Sequence, residues 1–114
     1  MDLIVGQYKL RLPAEKAKAL IDGGYDGKTV VMGIRPENVT DDASVFPDSV
    51  VEAKINVYEL LGAEVFLYFE VEGFNMTARV NPHTASRQGD TVKFSLDMSK
   101  VHVFDKETEQ VITN

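Results

Sequence analysis

Short runs in which apolar and polar residues alternate with period two, turn residues between those runs, and a single stretch of helical spacing predict a mainly β fold. Tyr8, Leu10 and Leu12 alternate with Lys9 and Arg11, so a first strand ends near Pro13, whose ring removes a ladder donor. Pro13 suits the first position of a helix in which Ala14, Ala17, Leu20 and Ile21 share one face. Gly23-Gly24 then supply a left-handed stop without a Cβ penalty. Thr29 through Ile34 is a continuous, branched apolar run, which predicts a strand covered on both faces, and Arg35-Pro36 leaves it extended. The segment from Asn38 to Asp48 is expected to be loop.

Val51, Ala53, Ile55 and Val57 alternate with Glu52, Lys54, Asn56 and Tyr58, and Val65, Leu67, Phe69 and Val71 continue the pattern beyond Gly62-Ala63. These two strands are expected to pair as a hairpin, with Gly62 first in a two-residue type II′ turn. Gly73 through Asn75 is the next expected turn, followed by a strand with Met76, Ala78 and Val80 inward. After the loop around Pro82, Arg87 to Asp90 turns into a strand carrying Val92, Phe94 and Leu96. Val101, Val103 and Phe104 form the last clear strand, followed by a polar turn from Asp105 to Glu109 and an apolar Val111-Ile112 tail. The count suits an OB-fold-like small barrel of about five or more antiparallel strands, with an additional N-terminal strand and one short helix.

The length of 114 residues fits one domain with a real core, and 44% hydrophobic with 26% charged residues is an ordinary globular balance. Twelve Lys and Arg against 18 Asp and Glu give a net charge of −6, which repels a phosphate backbone, so nucleic acid is not expected as a partner. With no cysteine, neither a disulfide framework nor a thiolate metal site can form. No apolar run approaches the roughly 20 residues needed to span a bilayer as a helix, and no signal pattern opens the chain.

Chemistry is sparse. No Gly-rich loop followed by Lys and Ser or Thr is present, so this chain alone is not expected to hydrolyse a nucleotide. His83, in a loop, and His102, pointing to solvent or capping the barrel edge, are the only histidines and are not expected to hold a metal. Glu70 and Glu72 share a strand face, where carboxylates are better read as solvated outward positions than as an acid and base. Asp41-Asp42 reads as a solvated loop, and the triplets at Asn38 and Asn75 have no secretory signal to make them glycosylation sites. Arg35 and Glu37 flank a rigid Pro36 and can form an ion pair that orders the strand exit. Phe66, Tyr68 and Phe74 could stack a base or sugar, but core packing and subunit contact are the preferred reading.

Five motifs occur in order: Gly33-Ile34-Arg35-Pro36-Glu37, the turn from Glu59 through Gly62 to Glu64, Thr77-Ala78-Arg79-Val80, Gly89-Asp90-Thr91-Val92, and Phe104-Asp105 with Thr108. Together with the helix bearing Ala17 and Lys18 and its exit Gly23-Gly24-Tyr25-Asp26-Gly27-Lys28, the chain from about Tyr8 to Ile112 resembles one family. That family is the C-terminal regulatory (TOBE, OB-fold) domain of the ATP-binding subunits of carbohydrate ABC importers, of the maltose, multiple-sugar and glycerol-phosphate type. The resemblance implies one regulatory domain over residues 1–114, with Gly33, Arg35, Pro36, Glu37, Glu59, Gly62, Glu64, Arg79, Gly89, Phe104 and Asp105 as structural family markers and no catalytic or metal-binding residue. Because Met1-Asp2-Leu3 enters the middle of the regulatory region, the chain is expected to be a fragment without its nucleotide-binding domain, where ATP and Mg would bind; no cofactor is expected in this chain.

The implied partners are a second copy of the subunit, the transporter's membrane subunits through the absent domain, and a regulatory protein. The implied location is cytoplasmic, peripheral on the inner face of the cell membrane. The isolated domain is expected to dimerise weakly or not at all, because in the family the nucleotide domains support that interface. An oxyanion-binding barrel of the molybdate type, needing amide-rich turns, and a free-standing oligonucleotide-binding module, opposed by the net charge, are the alternatives.

Overall fold

Ten strands and one α-helix make up the fold, in a computed structural model that describes residues 2–114. In chain order they are β1 (Asp2–Val5), β2 (Tyr8–Arg11), α1 (Ala14–Asp22), β3 (Val30–Gly33), β4 (Val39–Thr40), β5 (Val50–Leu61), β6 (Glu64–Val71), β7 (Phe74–Val80), β8 (Thr91–Leu96), β9 (His102–Asp105) and β10 (Val111–Thr113), with 3-10 turns at Pro36–Asn38 and Met98–Lys100. Met1, which opened the expected mid-domain entry, lies outside the described residues.

The expected barrel is present as a five-stranded antiparallel sheet in the order β4-β8-β5-β6-β7, whose end strands approach each other so that it nearly closes. Val51, Ile55, Val65, Leu67, Phe69, Phe94 and Leu96 fill it, each 2% exposed or less. Phe69 and Phe94 stack at its centre with ring centroids 3.9 Å apart. Such aromatic pairs stabilise a core beyond the area they bury. Closure depends on a strand that alternation could not reveal. Val39, inside the segment expected to be loop, is 1% exposed and pairs with Leu96, and the Asp97 amide donates to the Asn38 carbonyl at 2.9 Å. Two residues are too few to display a period.

The hairpin of β5 and β6 has the expected two-residue loop, with Leu61 opposite Glu64 and φ of +60° at Gly62, while Ala63 keeps negative φ. That is the signature of a type II′ turn. Alternation fails farther down β5. Ile55 pairs with Phe69 but Val57 with Tyr68, so Asn56 is an extra, bulged residue and Val57, expected inward, is 46% exposed. The bulge sits where β5 leaves β8 for β6, and the vacated positions are used: the Ile55 amide donates to Asp90 O at 2.9 Å and the Gly89 amide to Ile55 O at 2.8 Å.

The next turn is Glu72-Gly73 rather than Gly73 to Asn75, with φ of +50° and +86°, and Phe74 already pairs with Val71. Two positive φ values make a type I′ turn, whose twist suits a hairpin. Glu72 therefore leaves the strand, and it does not share a strand face with Glu70.

A three-stranded sheet, β10-β9-β3, lies beside the barrel. Val30 through Gly33 form an edge strand, not one covered on both faces: Val31 is 46% exposed. The apolar tail is a strand as well, with Val111 opposite Phe104. A further unexpected strand, β1, pairs with β2 from Asp2–Arg11 to Val5–Tyr8, and the Tyr8 hydroxyl ties this hairpin to the barrel by donating to Glu52 O at 3.0 Å.

The helix begins one residue later than expected. Pro13 keeps an extended ψ of 151° and acts as N-cap, its carbonyl accepting from the Ala17 amide at 3.0 Å. The face that packs is Lys16, Ala17 and Leu20, whereas Ala14 and Ile21 are exposed. The stop is divided between the glycines: Gly23 stays right-handed and Gly24 takes φ of +77°. The Gly24 amide then bonds Ile21 O at 3.1 Å and the Tyr25 amide bonds Leu20 O at 2.8 Å, the paired closure of a Schellman motif.

Candidate functional site: an ion-paired corner and an exposed hairpin tip

The marker residues gather into two groups. In the first, antiparallel register places Glu59, Phe66 and Arg79 side by side on the outer face of β5, β6 and β7. Pro36 starts a 3-10 turn, closed by the Asn38 amide on Arg35 O at 2.9 Å, and this turn delivers Glu37 to the same corner. Arg79 reaches Glu37 at 3.5 Å and Glu64 at 3.7 Å. The expected Arg35–Glu37 pair is thus corrected: Arg79 is the partner, because the turn carries Glu37 away from Arg35 and toward β7. All three side chains are close to half exposed, so the cluster fixes geometry more than it adds stability.

Glu59 accepts from the Tyr68 hydroxyl across the hairpin at 3.0 Å. That hydrogen bond to Glu59 and, second, partial burial push the Tyr68 phenol up from its ordinary value. Beyond this braced region the hairpin ends in apolar side chains that nothing covers: Leu60 is 57% and Leu61 53% exposed, with Val57 turned outward by the bulge. Phe66 and Tyr68 are half-buried on this outer face, while Phe74 is exposed at the far turn.

The second group lies on β3 and β9. A side chain at Gly33 would place its Cβ 3.2 Å from the Phe104 ring, a close approach that the ring relieves only by shifting a few tenths of an ångström. Asp105 closes the following turn by accepting from the amides of Glu107 at 2.8 Å and Thr108 at 2.9 Å and from the Tyr25 hydroxyl at 2.7 Å. The Thr108 amide, then the Tyr25 hydroxyl and the Glu107 amide, hold its carboxyl down at about 2. Tyr25 is pushed up in turn, chiefly by the same hydrogen bond.

Gly89 stands apart from both groups, at the bulge. Sequence reasoning missed Tyr25 as the partner of Asp105; its place immediately after a Gly-Gly helix stop, where an apolar residue folds back on the last turn, was the available signal. It also missed the role of the acidic loop. Asp41 accepts from the hydroxyls of Thr84 and of Ser86, the latter at 2.9 Å, and Asp42 accepts from the Ser44 amide at 2.9 Å, so this pair organises two loops and is not merely solvated. His102 lies at the surface between buried Val101 and Val103, with Nδ1 3.1 Å from Asn114 Oδ1, and His83 sits exposed in a turn.

Chemically the two groups form hydrogen bonds and ion pairs that brace the turns they lie on. The resolved shifts move tyrosines up and aspartates down, away from the range where a group exchanges protons near neutrality. Among the described residues, no three His, Cys, Asp or Glu side chains converge as a metal site requires, and no helix is long and apolar enough to cross a membrane.

A sequence-family model described as TOBE domain matches residues 32–104, and one described as MalK OB fold domain matches residues 2–39. The chain is similar to the oligosaccharides import ATP-binding protein MsmX of Bacillus subtilis, 40% identical over 108 residues that make up 92% of this chain and 30% of that protein. It is also similar to the multiple sugar-binding transport ATP-binding protein MsmK of Streptococcus mutans, 36% identical over 83% of this chain and 26% of that protein. The ABC transporter ATP-binding protein YcjV of Escherichia coli K12 is 39% identical over 91% of this chain and 28% of its own length. The chain thus spans less than a third of the length of the relatives it matches.

Proposed function

The chain belongs to the TOBE domain family, and from that premise we propose that it is the regulatory and dimerisation domain of the ATP-binding subunit of a carbohydrate ABC importer. The observation that carries the reading is the exposure of Leu60 and Leu61 on the two sides of the hairpin tip, and of Val57 on its outer face, on a hairpin that hydrogen bonds and ion pairs hold in one shape. Apolar side chains presented on a rigid support and rimmed by charge fit contact with another protein. The resemblance to sugar-import ATP-binding proteins supports a second subunit as the partner, and a regulator that binds there is the further partner of this reading. A protein that contacts this surface differently in the open and closed dimers shifts the balance between them, and so tunes transport without touching the ATP site. In this reading ATP and Mg bind elsewhere in the subunit, and the subunit lies on the cytoplasmic face of the membrane against its transport partners.

The test begins with the gene. An open frame that joins this sequence to a phosphate loop and a transporter signature is expected. The subunit is then purified with Leu60→Ser and Leu61→Ser together. Intact subunit should hydrolyse ATP and associate in solution, and the double variant should hydrolyse ATP while associating, or responding to a regulator, less. Unchanged association and unchanged regulation in a folded double variant would overturn the role given to the hairpin tip.

A further inference from the structure

Among the described residues, the edges of β1 and β3 border one cleft without the usual guards against pairing. Among the described residues β1 pairs only with β2, and β3 only with β9. Other edges carry the usual guards against stray pairing: β2 has Lys9 and Arg11, and β10 has a register shift. By contrast β1 (Asp-Leu-Ile-Val) and β3 (Val-Val-Met-Gly) have unbroken registers and contain no Lys, Pro or bulge. A cleft of about 350 Å³ separates them, lined by the whole of β1, by Val30 and Met32 of β3, by Leu20 and Tyr25, and along one side by the polar loop of residues 26–29. A two-stranded hairpin such as β1-β2 is marginal by itself; here Leu10 and Tyr8 anchor β2 to the barrel, while the outer edge of β1 is left without a strand partner among the described residues.

We propose that this cleft receives one extended strand with apolar residues at alternate positions, supplied by the polypeptide that the relatives carry beyond the matched region, and that it pairs along β1 and closes against β3. The inference rests on the reading of this chain as part of a longer ATP-binding subunit. Its backbone would satisfy the outward amides and carbonyls of β1, and its inward side chains would meet Leu20, Tyr25 and Met32, which fits strand addition with period-two pockets. The matched stretch is only 30% of MsmX, so ample chain lies outside it. A strand in the same polypeptide also avoids the translational and rotational cost of binding a separate molecule. A second copy pairing β1 to β1 across a two-fold axis would cover that edge but leave β3 and the cleft unfilled.

Hydrogen exchange followed by mass spectrometry on the full-length subunit tests this, read at the segments 2–5 and 30–33 and at dilutions where the subunit is monomeric. Expected is protection of all backbone amides in 2–5, with exchange slowed about tenfold or more relative to an unpaired edge such as that of β2. Fast exchange of the half of those amides that point away from β2 would overturn the proposal. Protection that arises only as concentration drives dimer formation would also overturn it, in favour of a second copy. Measuring ATP hydrolysis on the same sample keeps the two readings apart: a subunit without hydrolysis undermines the functional assignment, whereas fast exchange in an active subunit defeats only the added strand.

Discussion

Asp105 is the residue whose environment most constrains its ionisation. Two amides and the Tyr25 hydroxyl hold its carboxyl at about 2, below its ordinary 3.8. A depressed carboxylate contributes stability that is fully present above the unfolded value and is lost as pH falls through the folded one. Wild type should therefore exceed Asp105→Asn in urea midpoint above pH 3.8, and the gap should close as pH drops toward 2; a gap independent of pH would contradict this. Gly33 is constrained by space. In Gly33→Ala the new Cβ would meet the Phe104 ring at 3.2 Å, so a loss of about 1 kcal/mol is expected on chemical denaturation, with recovery when Phe104→Leu is added. Arg79→Met should cost about 0.5 to 1 kcal/mol at low salt, and most of that difference should vanish at about 1 M salt, where screening acts over about 3 Å.

At the scale of the element, β5 carries the most information. Its 12 residues serve β8 over the first part and β6 over the second, and the bulge at Asn56 absorbs the change of partner. Ile55 and Val57 read alike in a period-two pattern but stand at 0% and 46% exposure. Ile55→Ala should therefore destabilise by about 2 to 5 kcal/mol. Val57→Thr should stay within about 0.5 kcal/mol. Equal losses in thermal unfolding would mean that the bulge is absent and both side chains face inward. The strands that sequence reading placed, β2, β3 and β5 through β9, are those with three or more alternating or apolar positions. Those it missed, β1, β4 and β10, are two to four residues long or lie at chain ends, where no period can be read.

For the whole molecule, the five-stranded sheet nearly closes on itself, and the β10-β9-β3 sheet and the β1-β2 hairpin extend it along a 43 Å axis. The exposed apolar tip is small and is flanked by Glu59 and Glu64 on a chain of net charge −6. Self-association through it alone meets like-charge repulsion. The isolated chain should therefore sediment as a monomer at micromolar concentration, and a tight dimer by analytical ultracentrifugation would require a larger interface than the hairpin tip.

The sequence by itself determined the mainly β class, the single helix and its Gly-Gly stop, the type II′ hairpin and the family, because each is written in local periodicity, turn chemistry or motif order. Tertiary structure alone decided which face of the helix packs, that Val57 turns outward, that Val39 closes the barrel, and that Glu37 pairs with Arg79 instead of its neighbour Arg35. These depend on how a strand shares its hydrogen bonds between two partners and on which segments meet across 40 or more residues. No local pattern encodes a partner that distant, so the markers were legible as residues while the corner they build was not.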